Sequence, residues 1–266
     1  MIKNIYFNYG GFYAVYEIIG VIRELYTEYK SNNSVISKKC VLHGCSAGAG
    51  MSFVFLLLIH DYIKLDEIEA TVNYIIDNTS QITIESVYMD ILDVMFSKHC
   101  PPDITFLSTR LKIGVSSQNN KFEFLTNFKS NSELYHALLL SANLVGISKC
   151  PSVYNDKFYL DGALHFDSNK YLPKDCLVID TLMLFPIYLT IPPTLVRKCL
   201  ISYGSYNAVK LLTYYKKNRK NKSHYIPALV KDTTSALFFF AHEHFCDFDH
   251  TIIDRINSIC KKKLVV

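Results

Sequence analysis

Residues 38–58 read KKCVLHGCSAGAGMSFVFLLL, and the fold turns on how this run divides. Cys40, Val41, Leu42 and His43 make an apolar segment of strand length, and Met51 to Ile59 make a buried segment of helix length. A strand that runs straight into a helix must turn sharply. The turn holds the apex residue in a strained backbone conformation and pushes its side chain clear of both elements. Ser46 occupies that apex, with Gly44 and Gly48 at the two positions where a side chain would keep strand and helix apart. The apex also sits at a helix N-terminus, whose free N–H groups favour developing negative charge. Ser46 is therefore read as a nucleophile in a Gly-x-Ser-x-Gly elbow completed by Cys45 and Ala47. The competing reading is a glycine turn with an incidental serine.

The chain of 266 residues is long enough for one substantial domain, and half of its residues are hydrophobic. A net charge of +4 is too mild for a global nucleic-acid footprint, so no nucleic-acid partner is expected. The 8 cysteines are scattered with no C-x-x-C pair, which points to buried thiols in a reducing compartment. The opening MIKNIYFNYGG lacks the long apolar region and cleavage site of a signal peptide. Ala47 to Ile59 is far shorter than the roughly 20 residues that cross a bilayer. The apolar run from Cys176 to Ile191 is broken by Asp180 and Pro186. The expectation is a cytoplasmic or peripheral-membrane protein.

Outward from the elbow, Ile2 to Asn8 reads as a strand and Phe12 to Lys30 as a helix, with a second strand over 39–43. Leu65 to Asp77 and Thr83 to Phe96 read as helices that end before Pro101-Pro102. RLKIGVSSQ and KFEFLTNF are strand-like runs joined by Asn119-Asn120. Ser130 to Glu133 is a capping-box signature, so Ser132 to Leu144 should be helical, and CLVIDTLML from Cys176 should be a strand. The first βαβ unit implies an α/β sheet with parallel pairing.

A serine needs a base and an oxyanion hole. Gly10-Gly11 falls between the first strand and its helix, where bare backbone N–H groups would lie near the elbow; an ordinary βα turn reads the same way. DKFYLDGALHFDSN places Asp161-Gly162-Ala163 after a short strand, although Asp-Gly also marks hairpin turns. An α/β-hydrolase triad using His224, His242, His244 or His250 is the other arrangement, but only one strand and one helix precede Ser46.

Together, Gly44-Cys45-Ser46-Ala47-Gly48, Asp161-Gly162-Ala163 and the Gly10-Gly11 loop resemble the patatin-like phospholipase family. The run GGFYAVYEIIGV is most similar to its adipose-triglyceride-lipase and adiponutrin branch. The resemblance implies a three-layer α/β sandwich with a central, mostly parallel sheet flanked by helices. It implies a Ser–Asp dyad without histidine: Ser46 as nucleophile, Asp161 as general base, and the Gly10 and Gly11 amides as oxyanion hole. The activity implied is hydrolysis of fatty-acyl esters of phospholipids or acylglycerols through an acyl-serine, with no cofactor. The family often carries three or four consecutive glycines where this chain has Gly10 and Gly11, so a weakened or inactive lipid- or partner-binding protein is the alternative. Transfer of the acyl group to an alcohol is a further one.

The division expected is a catalytic core over 1–180 and a mostly helical C-terminal extension over 181–266 packed on it. Lys210, Lys216, Lys217, Arg219, Lys220 and Lys222 cluster beside Leu and Tyr, and read as a membrane contact or as a solvated helix end. His242, Cys246 and His250 share a helical face, but no fourth ligand is apparent and no metal is expected. His43 and Cys45 read as packing residues, and Asp167 and Asn169 as loop residues near the site.

Overall fold

The computed structural model describes residues 1–78, 84–117, 119, 121–144, 153–181, 192 and 194–217. All of them belong to one compact unit, Met1–Ile226; a second, Pro227–Val266, lies outside the described residues.

Strand β1 (Ile2–Phe7) leads through Gly10 into α1 (Gly11–Lys30), and β2 (Ile36–Cys45) leads through Ser46 into α2 (Ala47–Ile59). Helices α3 (Leu65–Asn78), α4 (Ile84–His99) and α5 (Thr105–Ser108) precede β3 (Leu111–Ser117) and β4 (Lys121–Leu125). Helix α6 (Asn131–Ser141), β5 (Val153–Tyr154), β6 (Lys157–Asp161), α7 (Ser168–Tyr171), β7 (Cys176–Ile179) and α8 (Thr194–Lys217) complete the order. The fold is α/β, with a mixed, mostly parallel 7-stranded sheet flanked by helices.

The centre of the sheet is β7-β1-β2-β3, all parallel. Phe7 lies opposite both Gly44 and Ile179, and Cys45 opposite Gly114, so the carboxyl ends of these strands line up along one edge. Open parallel sheets place their sites at that edge. Strand β4 occupies one side of β3 over Ile113–Ser117. Strand β2 pairs with β3 at Leu111–Gly114 and β6 at Val115–Ser117, so these two share its other side, end to end. That abutment brings positions 46 and 161 together.

One face of the sheet carries α1 and α2. Helix α2 is apolar all round, and every residue in it is buried. Helix α8 lies along α1 in the same direction: a Cβ on Gly204 would strike the Glu17 carbonyl, and Lys216 pairs with Glu28 at 2.6 Å. On the other face, Tyr6 stacks on Phe166, and Phe122 packs against Phe166 and Tyr171.

The second strand is longer than its apolar run: it begins at Ile36, which lies opposite Ile2, and the register then shifts through a stretch with exposed Lys38 and Lys39 before Val41 meets Asn4. Helix α2 begins at Ala47 rather than Met51, its first turn being small residues with no apolar periodicity of their own. The Ser130 hydroxyl accepts from the Glu133 N–H at 3.2 Å, as the capping signature requires, and α6 ends at Ser141. The strand from Cys176 ends at Ile179, and residues 182–184 of the expected run lie outside the described residues.

Candidate active site

Ser46 has φ 53° and ψ −129°, a conformation that disfavours any residue with a Cβ. It is held there by packing. A Cβ on Gly44 would run into the Gly48 carbonyl, and one on Gly48 into the carbonyls of Phe7 and Asn8. The Ser46 carbonyl accepts from the Ala49 N–H at 2.9 Å, starting α2. Its own N–H donates to the Ser141 hydroxyl at 2.9 Å, and that hydroxyl donates to the Gly114 carbonyl at 2.6 Å. Ser141, fully buried at the end of α6, thus ties the elbow to β3. The sequence reading missed it, since an isolated serine near a helix end carries no signal at a distance of 95 positions.

Asp161 closes β6 opposite Val115, one position along β3 from the pairing of Cys45 with Gly114. A 3-10 turn, Gly162–Leu164, follows directly, so Asp-Gly here ends a strand rather than forming a hairpin. A Cβ on Gly162 would clash with the Gly114 carbonyl and crowd the Cys45 sulfur. Glycine therefore lets the carboxylate approach the elbow. Asp161 is 1% exposed. Its Oδ1 accepts from the Ala163 N–H at 2.8 Å, whereas Oδ2 is buried with no hydrogen-bond partner. Burial pushes its pKa up from 3.8 to about 6, against the smaller lowering effects of the Ala163 N–H and the Ser46 hydroxyl. The Ser46 hydroxyl is thus near enough to the carboxyl to lower its pKa. Catalytic hydrogen bonds commonly tighten only when substrate is bound.

Gly10 (φ 146°) and Gly11 (φ 60°) both take positive φ, which frees the chain to turn from β1 into α1. Neither amide donates a hydrogen bond among the described residues, and nor does that of Ala47 at the start of α2. Phe7 pairs with Gly44, so the Gly10 loop and the elbow leave adjacent strands at the same edge. Both loops thus open into helix N-termini at the strand edge that carries Ser46.

The neighbouring histidine is not a base. His43 is 1% exposed, its Nε2 lies 3.1 Å from Asn4 Oδ1, and desolvation with the nearby Lys112 lowers its pKa to about 3. The Cys45 thiol is buried beneath the elbow, and burial raises its pKa well above normal. Asp167 caps α7 by accepting from the Asn169 N–H at 3.0 Å, and both are exposed. Among the described residues no His, Cys, Asp or Glu cluster could hold a metal ion, and no helix is long and apolar enough to cross a membrane. His224, His242, His244, Cys246, His250, Arg219, Lys220 and Lys222 lie outside the described residues. Of the remaining basic cluster, Lys216 pairs with Glu28, Lys210 lies 4.3 Å from the Tyr206 ring and Lys217 is exposed. Because α1 starts at the site and Glu28 is near its far end, Lys216 is on the order of 25 Å from the Gly11 loop at 1.5 Å per residue. No family model matches the chain, and no curated protein matches it.

Proposed function

We propose that this chain is a serine acyl hydrolase of patatin type, cleaving fatty-acyl esters of phospholipids or acylglycerols through a Ser46–Asp161 dyad. The observation that carries this reading is the buried, unpartnered Oδ2 of Asp161 beside a serine held at positive φ. An unpaired buried carboxylate oxygen costs stability, and a structure retains it where a proton is to be received. In the proposed reaction Asp161 takes the Ser46 proton as Oγ attacks the ester carbonyl. The oxyanion is met by the Gly10 and Gly11 amides, and Asp161 returns the proton to the leaving alcohol. Water then cleaves the acyl-Ser46 ester by the same route. A base with a pKa near 6 is better matched to neutral pH than an ordinary Asp. The three-layer patatin sandwich is part of the same proposal, supported by the motifs and the parallel strand ends that carry them.

The test is hydrolysis of mixed phospholipid and triacylglycerol substrates by the wild-type protein and by folded Ser46→Ala and Asp161→Asn variants. Release of fatty acid by the wild type alone supports the reading. Full activity in either variant rejects the dyad.

A further inference from the structure

The loop that carries Gly10 and Gly11 is gripped from both sides just before it turns. On one side, α2 lies so close that a Cβ on Gly48 would strike the Phe7 and Asn8 carbonyls. On the other, the end of β7 supplies three successive contacts. The Ile179 carbonyl accepts from the Asn8 N–H at 3.0 Å, the Asp180 Oδ1 accepts from the Asn8 Nδ2 at 2.7 Å, and the Thr181 hydroxyl donates to the Tyr9 carbonyl at 2.5 Å. The Asn8 Oδ1 in turn accepts from the Tyr9 N–H at 3.0 Å and the Tyr6 hydroxyl at 3.3 Å.

An asparagine amide can be reversed end for end, and here the reversal matters. A carboxylate only accepts, so Asp180 selects the orientation in which Asn8 Nδ2 faces it and Oδ1 faces the Tyr9 N–H. The reversed amide would set an NH2 group against the Tyr9 N–H and a carbonyl oxygen against the carboxylate. Both contacts would repel and push the Tyr9-Gly10 peptide out of place. The dyad reaction makes no use of Asp180, Asn8 or Thr181.

We propose that Asp180 is a positioning residue that acts through Asn8 to fix the direction of the Gly10 and Gly11 amides toward the elbow. This rests on the reading of those amides as an oxyanion hole. The clasp itself is a property of the loop and can be read without turnover.

The experiment compares wild type, Asp180→Ala and Asp180→Asn by steady-state hydrolysis of a short soluble ester and by amide hydrogen exchange. Asp180→Ala is expected to lower kcat about 10- to 100-fold, below the loss of a whole oxyanion donor, with KM within about twofold. Asp180→Asn, whose Oδ1 can still accept from Asn8 Nδ2 but whose NH2 would also accommodate the reversed amide, should give a kcat between those of wild type and Asp180→Ala. Exchange should quicken in the segment 8–12 of Asp180→Ala and stay unchanged in the rest of the sheet. Unchanged kinetics and exchange in Asp180→Ala overturn the proposal. So does equal damage in Asp180→Asn, or faster exchange throughout the chain, since either marks a general folding role. If the wild type shows no Ser46-dependent hydrolysis, the proposed function fails, while localised exchange still upholds the clasp and unchanged exchange still overturns it.

Discussion

Replacing Asp161 with Asn removes a charge and keeps the shape, and its effects on stability and activity should run in opposite directions. Burial lifts the carboxyl from 3.8 to about 6. The native state therefore binds this proton more tightly than the unfolded chain, and stability falls as pH rises between those two values. Above about pH 6 the deficit is constant, at roughly 3 kcal/mol for a difference of this size. Because the residue is 1% exposed, solvent screening does little to reduce it. The substituted amide is neutral at every pH, its Oδ1 can still accept from the Ala163 N–H, and its NH2 occupies the place of the unpartnered Oδ2. The variant should be about 3 kcal/mol more stable than wild type at pH 8, or roughly 6–12 °C in Tm for a domain of this size. The advantage should shrink through pH 6 and vanish near pH 4. Ester hydrolysis should fall by about 10²- to 10⁴-fold, the usual worth of a general base. Thermal unfolding followed by circular dichroism from pH 4 to 8, with ester hydrolysis on the same samples, makes the comparison. A variant no more stable than wild type at pH 8, or equally favoured at pH 4, refutes the burial argument.

Ser141→Ala should cost about 1–3 kcal/mol in urea unfolding by leaving the Ser46 N–H and the Gly114 carbonyl unpaired, and should lower kcat by loosening the elbow. Gly48→Ala should lose about 1–3 kcal/mol in urea unfolding, because the added methyl meets the Phe7 and Asn8 carbonyls, with hydrolysis falling alongside. His43 is held neutral, its pKa lowered to about 3 by desolvation first and Lys112 second. The unfolded chain therefore binds that proton more readily, and the stability His43 supports is complete above about pH 6.5 and lost as pH falls toward 3. His43→Gln should accordingly show a smaller drop in urea midpoint between pH 7 and pH 5 than wild type, with no change in the pH–rate profile above pH 6.

The elbow was legible because its signal is local: a strand, a small-residue turn and a helix lie within one short run, and Gly44 and Gly48 are required by backbone contacts inside it. Asp161 was legible as a motif, but its meeting with Ser46 depends on β2 and β6 sharing one side of β3, a tertiary pairing that no periodicity encodes. The same holds for Ser141 and for the grip of Asp180 on Asn8, single polar residues whose partners are far away in the chain. The basic run at Lys216 read as a surface feature because sequence does not show that α8 runs parallel to α1, or that Glu28 awaits the lysine there. Strand β2 overran its apolar core for a related reason, since the pairing of Ile36 with Ile2 starts it ahead of the exposed lysines.

Activation of the Ser46 hydroxyl by Asp161 can be read from reaction with a fluorophosphonate and mapping of the modified peptide. Wild-type protein should carry a single adduct on Ser46 and Ser46→Ala none, with labelling slowed by at least about 10²-fold in folded Asp161→Asn. An unmodified Ser46 in folded wild-type protein, or equal labelling rates in wild type and Asp161→Asn, would rule out the dyad.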